Sequence, residues 1–164
     1  MSNHAVHFSS ASDEWATPPE LFAKLDKEFD FRWDAAATAE NSKCATYCSK
    51  EGDALSGSVG SWAMWSDSRA IWLNPPYSRG LQARFIRRAY AETVASPGLI
   101  VCCLIPARPD TKVWHDTIFP HASEIRFVEG RVKFVGAESG APFPSAIVIF
   151  GQNSPQKIST WSQD

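Results

Sequence analysis

The chain has 164 residues, 44% of them hydrophobic and 21% charged, with a formal net charge of −2. That length fits one domain with one core and leaves no room for a separate recognition module of ordinary size, and the composition excludes a disordered chain. The longest apolar stretch, Leu99 to Pro106, is far too short to span a bilayer.

Met1 to Ser12 is polar, reads as a flexible N-terminus and lacks a basic-plus-apolar signal pattern, which places the protein in a cytoplasm. A folded domain is expected over 13–151. After Thr17-Pro18-Pro19, residues Leu21, Phe22, Leu25 and Phe29 share one helical face, with proline well placed in the first turn. Phe29 to Trp33 alternates large apolar with polar residues and ends at Asp34, as a strand does. Small and polar residues follow to Ser42, with a possible second strand at Cys44 to Cys48, and Gly52 to Ser68 reads as loop.

Ala70 to Leu73 is a short strand stopped by Asn74-Pro75-Pro76. Leu81, Phe85, Ala89 and Tyr90 then form a helical stripe, with Arg84, Arg87 and Arg88 mostly off it. Leu99 to Ile105 is apolar throughout and reads as the central strand of a parallel sheet, its Cys102 and Cys103 pointing to opposite faces. Trp114, Ile118 and Phe119 suggest a short helix, with His115 a packing residue. Glu124 to Val128 and Ala146 to Phe150 suggest a final strand pair, and 152–164 reads as a polar, frayed tail. The expected architecture is an open α/β sheet with helices on both faces, and ligands in such sheets bind beyond the carboxyl ends of the strands, where Asp34 and Asn74 fall.

Asn74-Pro75-Pro76-Tyr77, directly after a strand, carries the most specific chemistry. The lone pair of an aromatic exocyclic amine is delocalised into the ring, so the nitrogen is a poor nucleophile. Two acceptors about one hydrogen-bond length from it draw the amine toward tetrahedral geometry and localise the pair. The Asn74 side-chain oxygen and the Pro75 carbonyl are the candidates. Prolines Pro75 and Pro76 fix φ and hold the acceptors, and Tyr77 offers a flat surface for a base. A plain tight turn is the competing reading of the same residues.

This motif looks like motif IV of the amino-methyltransferases, and the wider pattern resembles the phage-type Dam-like DNA N6-adenine methyltransferase family. The resemblance runs from Asp13 to about Phe150. It includes Asp13 to Pro18, Phe31 to Ala37, Asn41 with Cys44, Asp53 to Leu55, Trp72 to Ser78, Ile105 to Arg108, Gly130 to Phe134 and Pro144 to Ile147. It implies a Rossmann-like methyltransferase sheet ending in an antiparallel strand pair, S-adenosyl-L-methionine as cofactor, and double-stranded DNA as partner. It also implies that Thr17 and Pro18 begin motif X, that Asp34 with Ala35 and Ala36 forms the motif I turn, and that Asp53, followed by Ala54, accepts a hydrogen bond from the cofactor's adenine amine. Phe85 is the motif V candidate, and Trp15, beside motif X, is expected to touch the cofactor. Ala35 to Thr38 stands where the family has a glycine-rich turn, or else begins a helix; which acid meets the ribose hydroxyls is left open, Glu51 being one option.

Charge is uneven. Residues 1–68 carry −6 and residues 69–164 carry +4, which suits a later half facing a polyanion or simply reflects ordinary surface. Arg108, Lys112, Arg131 and Lys133 are the expected phosphate contacts. Cys44 and Cys48 have no further Cys or His pair at zinc-site spacing, so they read as free thiols with no metal. None of the four cysteines follows a proline, which disfavours a cytosine-C5 enzyme with its thiolate nucleophile. A glutamine-N5 protein enzyme, an RNA-base enzyme and an inactive binding module on the same fold are the alternatives.

Overall fold

A computed structural model describes residues 15–67, 69–78 and 80–164. The expected flexible stretch 1–12 and Asp13-Glu14 lie outside these. Helix α1 (Pro19–Phe29) follows Pro18, whose φ of −59° and ψ of 134° feed the first turn. It stops at Asp30, which takes a left-handed φ of 54° while its N–H donates to the Asp26 carbonyl. Strand β1 (Phe31–Asp34) comes next, then a long connection with the four-residue helix α2 (Trp62–Trp65), before β2 (Ala70–Leu73). Helix α3 (Leu81–Ala95) leads to β3 (Ile100–Pro106). A π-helical turn at Trp114–Ile118 runs into α4 (Phe119–His121), and β4 (Glu124–Val128), β5 (Ser145–Phe150) and β6 (Lys157–Trp161) complete the chain.

The six strands form one sheet in the order β1-β2-β3-β5-β4-β6. Strands β1, β2 and β3 are parallel neighbours, and β5 is antiparallel to both β3 and β4. The expected antiparallel pair is therefore present, with β5 inserted between β3 and β4. Its alternating side chains build two cores. On one face α3 and the π-helical turn bury Ile86, Ala89, Trp114 and Ile118 against Trp33, Ile71, Val101 and Cys103. On the other, α1 buries Leu21 and Leu25 against Phe31, Trp72, Cys102 and Leu104. Cys102 and Cys103 thus face opposite ways, as a strand requires. Among the described residues no helix is long and apolar enough to cross a membrane.

Three local expectations are corrected. Cys44 to Cys48 forms no strand; a single bridge joins Tyr47 to Asp34. The loop expected before β2, with little room for a full helix, holds the four-residue α2, whose Trp62 is buried in the core. The polar segment 152–164 is not frayed: β6 pairs in parallel with β4, from Glu124 opposite Lys157 to Val128 opposite Trp161. Lys24 anchors its end, donating to the Ser162 carbonyl at 2.8 Å and to the Asp164 carbonyl, with its ammonium 4.9 Å from the Trp161 ring centre.

Candidate functional site

Strands β1, β2 and β3 end at one edge of the sheet, placing Asp34 and Asn74 at the mouth of a cleft of about 690 Å³, within the size range of small-molecule sites. Its lining includes Trp15 and Thr17 before α1, Asp34, Ala35 and Ala36 after β1, and Asp53 and Ala54 in the long connection. It also includes Asn74, Pro75 and Pro76 after β2 and Phe85 on α3. Most of the residues expected at the site thus share one cavity.

Asp34 is 2% exposed. Its Oδ1 accepts from the Ala36 N–H at 3.3 Å and its Oδ2 from the Lys43 N–H at 3.0 Å, so it folds residues 35–43 back over the end of β1. No helix follows: the Ala35 N–H reaches the Trp72 carbonyl and the Ala37 N–H reaches that of Cys48. Burial raises the Asp34 pKa from 3.8 to about 6, against the opposing pull of the Lys43 and Ala36 N–H groups.

A carboxyl whose pKa is higher in the folded than in the unfolded chain binds its proton more tightly when folded. Its contribution to stability therefore falls as pH rises from about 4 to about 6 and is flat above, by on the order of 3 kcal/mol in total. Urea unfolding of wild type and Asp34→Asn across this range should show wild type losing ground to the variant as pH rises. A constant difference would mean that Asp34 titrates normally.

Asn74 is fixed by its own amide. Its Nδ2 donates to the Trp15 carbonyl at 2.5 Å and to Thr17 Oγ1 at 3.0 Å. A carbonyl cannot donate, so the Trp15 contact dictates which end of the amide is nitrogen. Oδ1 is left buried with no hydrogen-bonding partner among the described residues. The other such atom is Ser145 Oγ, at the start of β5 opposite Pro106. Buried polar atoms are nearly always paired, so an orphan acceptor beside a cleft marks a place for a donor that arrives from outside.

Pro75 is buried and Pro76 half-buried. Tyr77 does not line the cleft. Its ring meets Phe134 and Phe143 nearly at right angles, with centroids 6.2 and 5.6 Å away. Its hydroxyl donates to the Leu104 carbonyl at 3.1 Å, and burial pushes the phenol well above its ordinary range. Trp15 packs on the same two phenylalanines. Pro18 lies outside the cleft too, in a hollow shared with Glu20, Leu21 and Lys133. Asp53 is exposed at a left-handed φ of 44°, with Oδ1 accepting from the Leu55 N–H at 3.1 Å. Glu51 is exposed and does not line the cleft.

Among Arg108, Lys112, Arg131 and Lys133, all exposed, none lines the cleft. Arg108 sits 5.7 Å from the Phe143 ring centre. Residues 131–134 form no strand; Val132 and Phe134 turn inward and Arg131 and Lys133 outward. Among the described residues, the cations that do line the cleft are Lys43, Lys50 and Arg84, which the sequence reading passed over. The signal for Arg84 lay in its position beside Phe85. On α3, Arg87 is paired with Asp116 at 2.8 Å and Arg88 with Glu92 at 2.6 Å. Arg84 has no ion pair among the described residues. In the same set, no group of three His, Cys, Asp or Glu side chains gathers in a metal-binding arrangement, and all four cysteines are free thiols.

Residues 5–163 match the family described as DNA N-6-adenine-methyltransferase (Dam). The chain belongs to the Dam family. It is 30% identical over 144 residues to a DNA N-6-adenine-methyltransferase of Escherichia phage T1, covering 78% of this chain and 56% of that protein. It is 29% identical over 154 residues to a protein of the same name from Haemophilus phage HP1, covering 89% and 83%. The chain thus spans little more than half the length of the T1 relative. The fold of this Dam-family chain is shared with a modification subunit of a putative type I restriction enzyme from Vibrio vulnificus YJ016. There the TM-score is 0.53 at 10% identity, over 92% of this chain and 48% of that one.

Proposed function

We infer that the chain is an S-adenosylmethionine-dependent methyltransferase acting on N6 of adenine in DNA. The observation that carries this reading is the Asn74 side chain, whose donor end is held by Trp15 and Thr17 and whose acceptor end is buried and unpaired at the cleft. An incoming exocyclic amine supplies the missing donor. Membership of the Dam family and the names of its phage relatives support adenine in DNA as the carrier of that amine.

The cleft fits the cofactor in size and chemistry. Thr17, Asp34 and the Ala35-Ala36 turn would hold its methionine end, and Asp53, Ala54 and Phe85 its adenosine end. When bound there, S-adenosylmethionine supplies an electrophilic methyl on a sulfonium. The protein's own part is to bring up and prepare the amine. A base inside the duplex stack cannot reach the cleft, so the adenine must be extruded. Asn74 Oδ1 and the Pro75 carbonyl accept its two amino hydrogens, which localises the lone pair for in-line attack, and buried Pro75 with half-buried Pro76 keeps both acceptors from relaxing away. Tyr77, turned from the cleft onto Phe134 and Phe143 and tied to the Leu104 carbonyl, anchors the chain just after the two acceptors and does not stack on the base.

Incubating the pure protein with methyl-labelled cofactor and DNA, RNA or protein tests the assignment. Label should appear as N6-methyladenine in DNA; label in RNA or glutamine, or none at all, would overturn it.

The unpaired Arg84 suits a phosphate near the extruded nucleotide. Arg84→Gln should flatten the salt dependence of DNA affinity by about one unit of logarithmic slope and leave S-adenosylhomocysteine binding unchanged. The paired Arg87 provides the control, and an unaltered slope in Arg84→Gln would remove it from the DNA surface.

A further inference from the structure

Glu92 is completely buried in the last turn of α3, and the Arg88 side chain is 9% exposed. Glu92 Oε1 accepts from Arg88 Nε at 2.6 Å, while its Oε2 accepts from the backbone N–H groups of Gly60 at 2.8 Å and Trp62 at 3.1 Å. Arg88 spends its remaining donors on the same segment: Nη1 on the Leu55 carbonyl at 3.1 Å, and Nη2 on the Ser58 carbonyl at 2.7 Å and Ser61 Oγ at 3.2 Å. Trp62 closes the circuit through Nε1, which donates to the Ala54 carbonyl at 2.9 Å.

A buried ion pair is a poor choice for stability alone, because well-packed apolar residues in its place are often as good or better. What this pair provides is a fixed course for a segment with almost no regular structure of its own. Ala54 and Leu55 line the cleft, and so does Phe85, one turn before Arg88 on the same helix. The two walls are thereby referred to a single rigid element.

We propose that Arg88 and Glu92 are positioning residues that hold the Ala54-Leu55 wall at a set distance from Phe85 and so determine affinity for the nucleoside half of the cofactor. This rests on reading the cleft as the cofactor site. A wall that is already ordered loses little freedom when a flat purine enters, whereas a released segment must be ordered at the ligand's expense.

The test uses the full chain with Glu92→Gln, which keeps the shape and an acceptor, and with Arg88→Met/Glu92→Met, which leaves no lone buried charge. Arg88→Lys serves as the conservative variant, retaining the charge opposite Glu92 but lacking the fork that reaches Leu55 and Ser58. Circular dichroism melts select the folded variants; calorimetry with S-adenosylhomocysteine, 5′-methylthioadenosine and methionine then reads binding. The double variant should bind S-adenosylhomocysteine and 5′-methylthioadenosine about tenfold more weakly, with Arg88→Lys and Glu92→Gln in between. Any methionine binding should be unchanged, as should kcat at saturating cofactor and KM for DNA. Unchanged nucleoside binding in the folded double variant, or a loss of kcat with cofactor affinity intact, overturns the proposal. If wild type itself binds no S-adenosylhomocysteine, the reading of the cleft fails and the clasp with it; normal wild-type binding with indifferent variants sinks the clasp alone.

Discussion

Asn74→Ala should lower methyl transfer at saturating cofactor by on the order of a hundredfold or more, the usual cost of removing one positioned polar group from the reacting centre. It should also weaken S-adenosylhomocysteine binding, though far less. The Asn74 amide holds the Trp15 carbonyl and Thr17 Oγ1, so losing it releases a segment that lines the cleft, at about 1 kcal/mol for the bonds concerned. Thr17→Val separates the two effects, because it removes one anchor of the amide and leaves the acceptor in place. Its turnover should fall much less than that of Asn74→Ala. Initial rates at saturating S-adenosylmethionine, set beside calorimetric affinities, decide the matter. An alanine variant with near-normal turnover would remove Asn74 from the chemistry.

The largest expected loss of stability from a single methyl group is at Gly151, just after β5. Its φ is +94°, and a Cβ there would lie 2.0 Å from the Leu99 carbonyl oxygen and 3.0 Å from Thr93 Cγ2. Gly98, in the turn before β3, has nearly the same φ of +92° but nothing within 4 Å of the added atom. Both alanine variants carry the backbone strain of an L-residue at positive φ, about 1–2 kcal/mol. At Gly151 a backbone collision is added that no rotamer can relieve, so the total should exceed about 4 kcal/mol, the range in which a small domain begins to unfold. Urea midpoints of the two variants isolate the collision from the strain. Equal midpoints would show that the strand ends part freely.

The interior strands were legible because burial on both faces leaves an unmistakable apolar run, as in Val101 to Ile105. Asn74 was legible because an amide followed by two prolines at a strand end has few other uses. Strand β6 was not, since an edge strand can be held by its backbone ladder, and Lys157, Ser159 and Thr160 carry no apolar signal. The placement of β5 between β3 and β4 is equally silent in a linear reading. The cleft cations illustrate a different limit. Counting charge by halves directs attention to residues 69–164, yet Lys43 and Lys50 come from the acidic half. Net charge along a segment does not report where the chain brings its side chains together in space.

Cys48, which lines the cleft, bears on the durability of the proposed methyltransferase. A sulfonium is an alkylating agent, and a thiolate is a far better nucleophile than any aromatic amine. Burial and the nearby Asp53 charge both raise the Cys48 pKa, and burial with Asp34 and Asp26 pushes Cys44 to about 12. For the cofactor proposed above, the cysteine lining the cleft would therefore stay a protonated, sluggish thiol at neutral pH, and its burial, helped by the Asp53 charge, would also shield the protein from methylating itself.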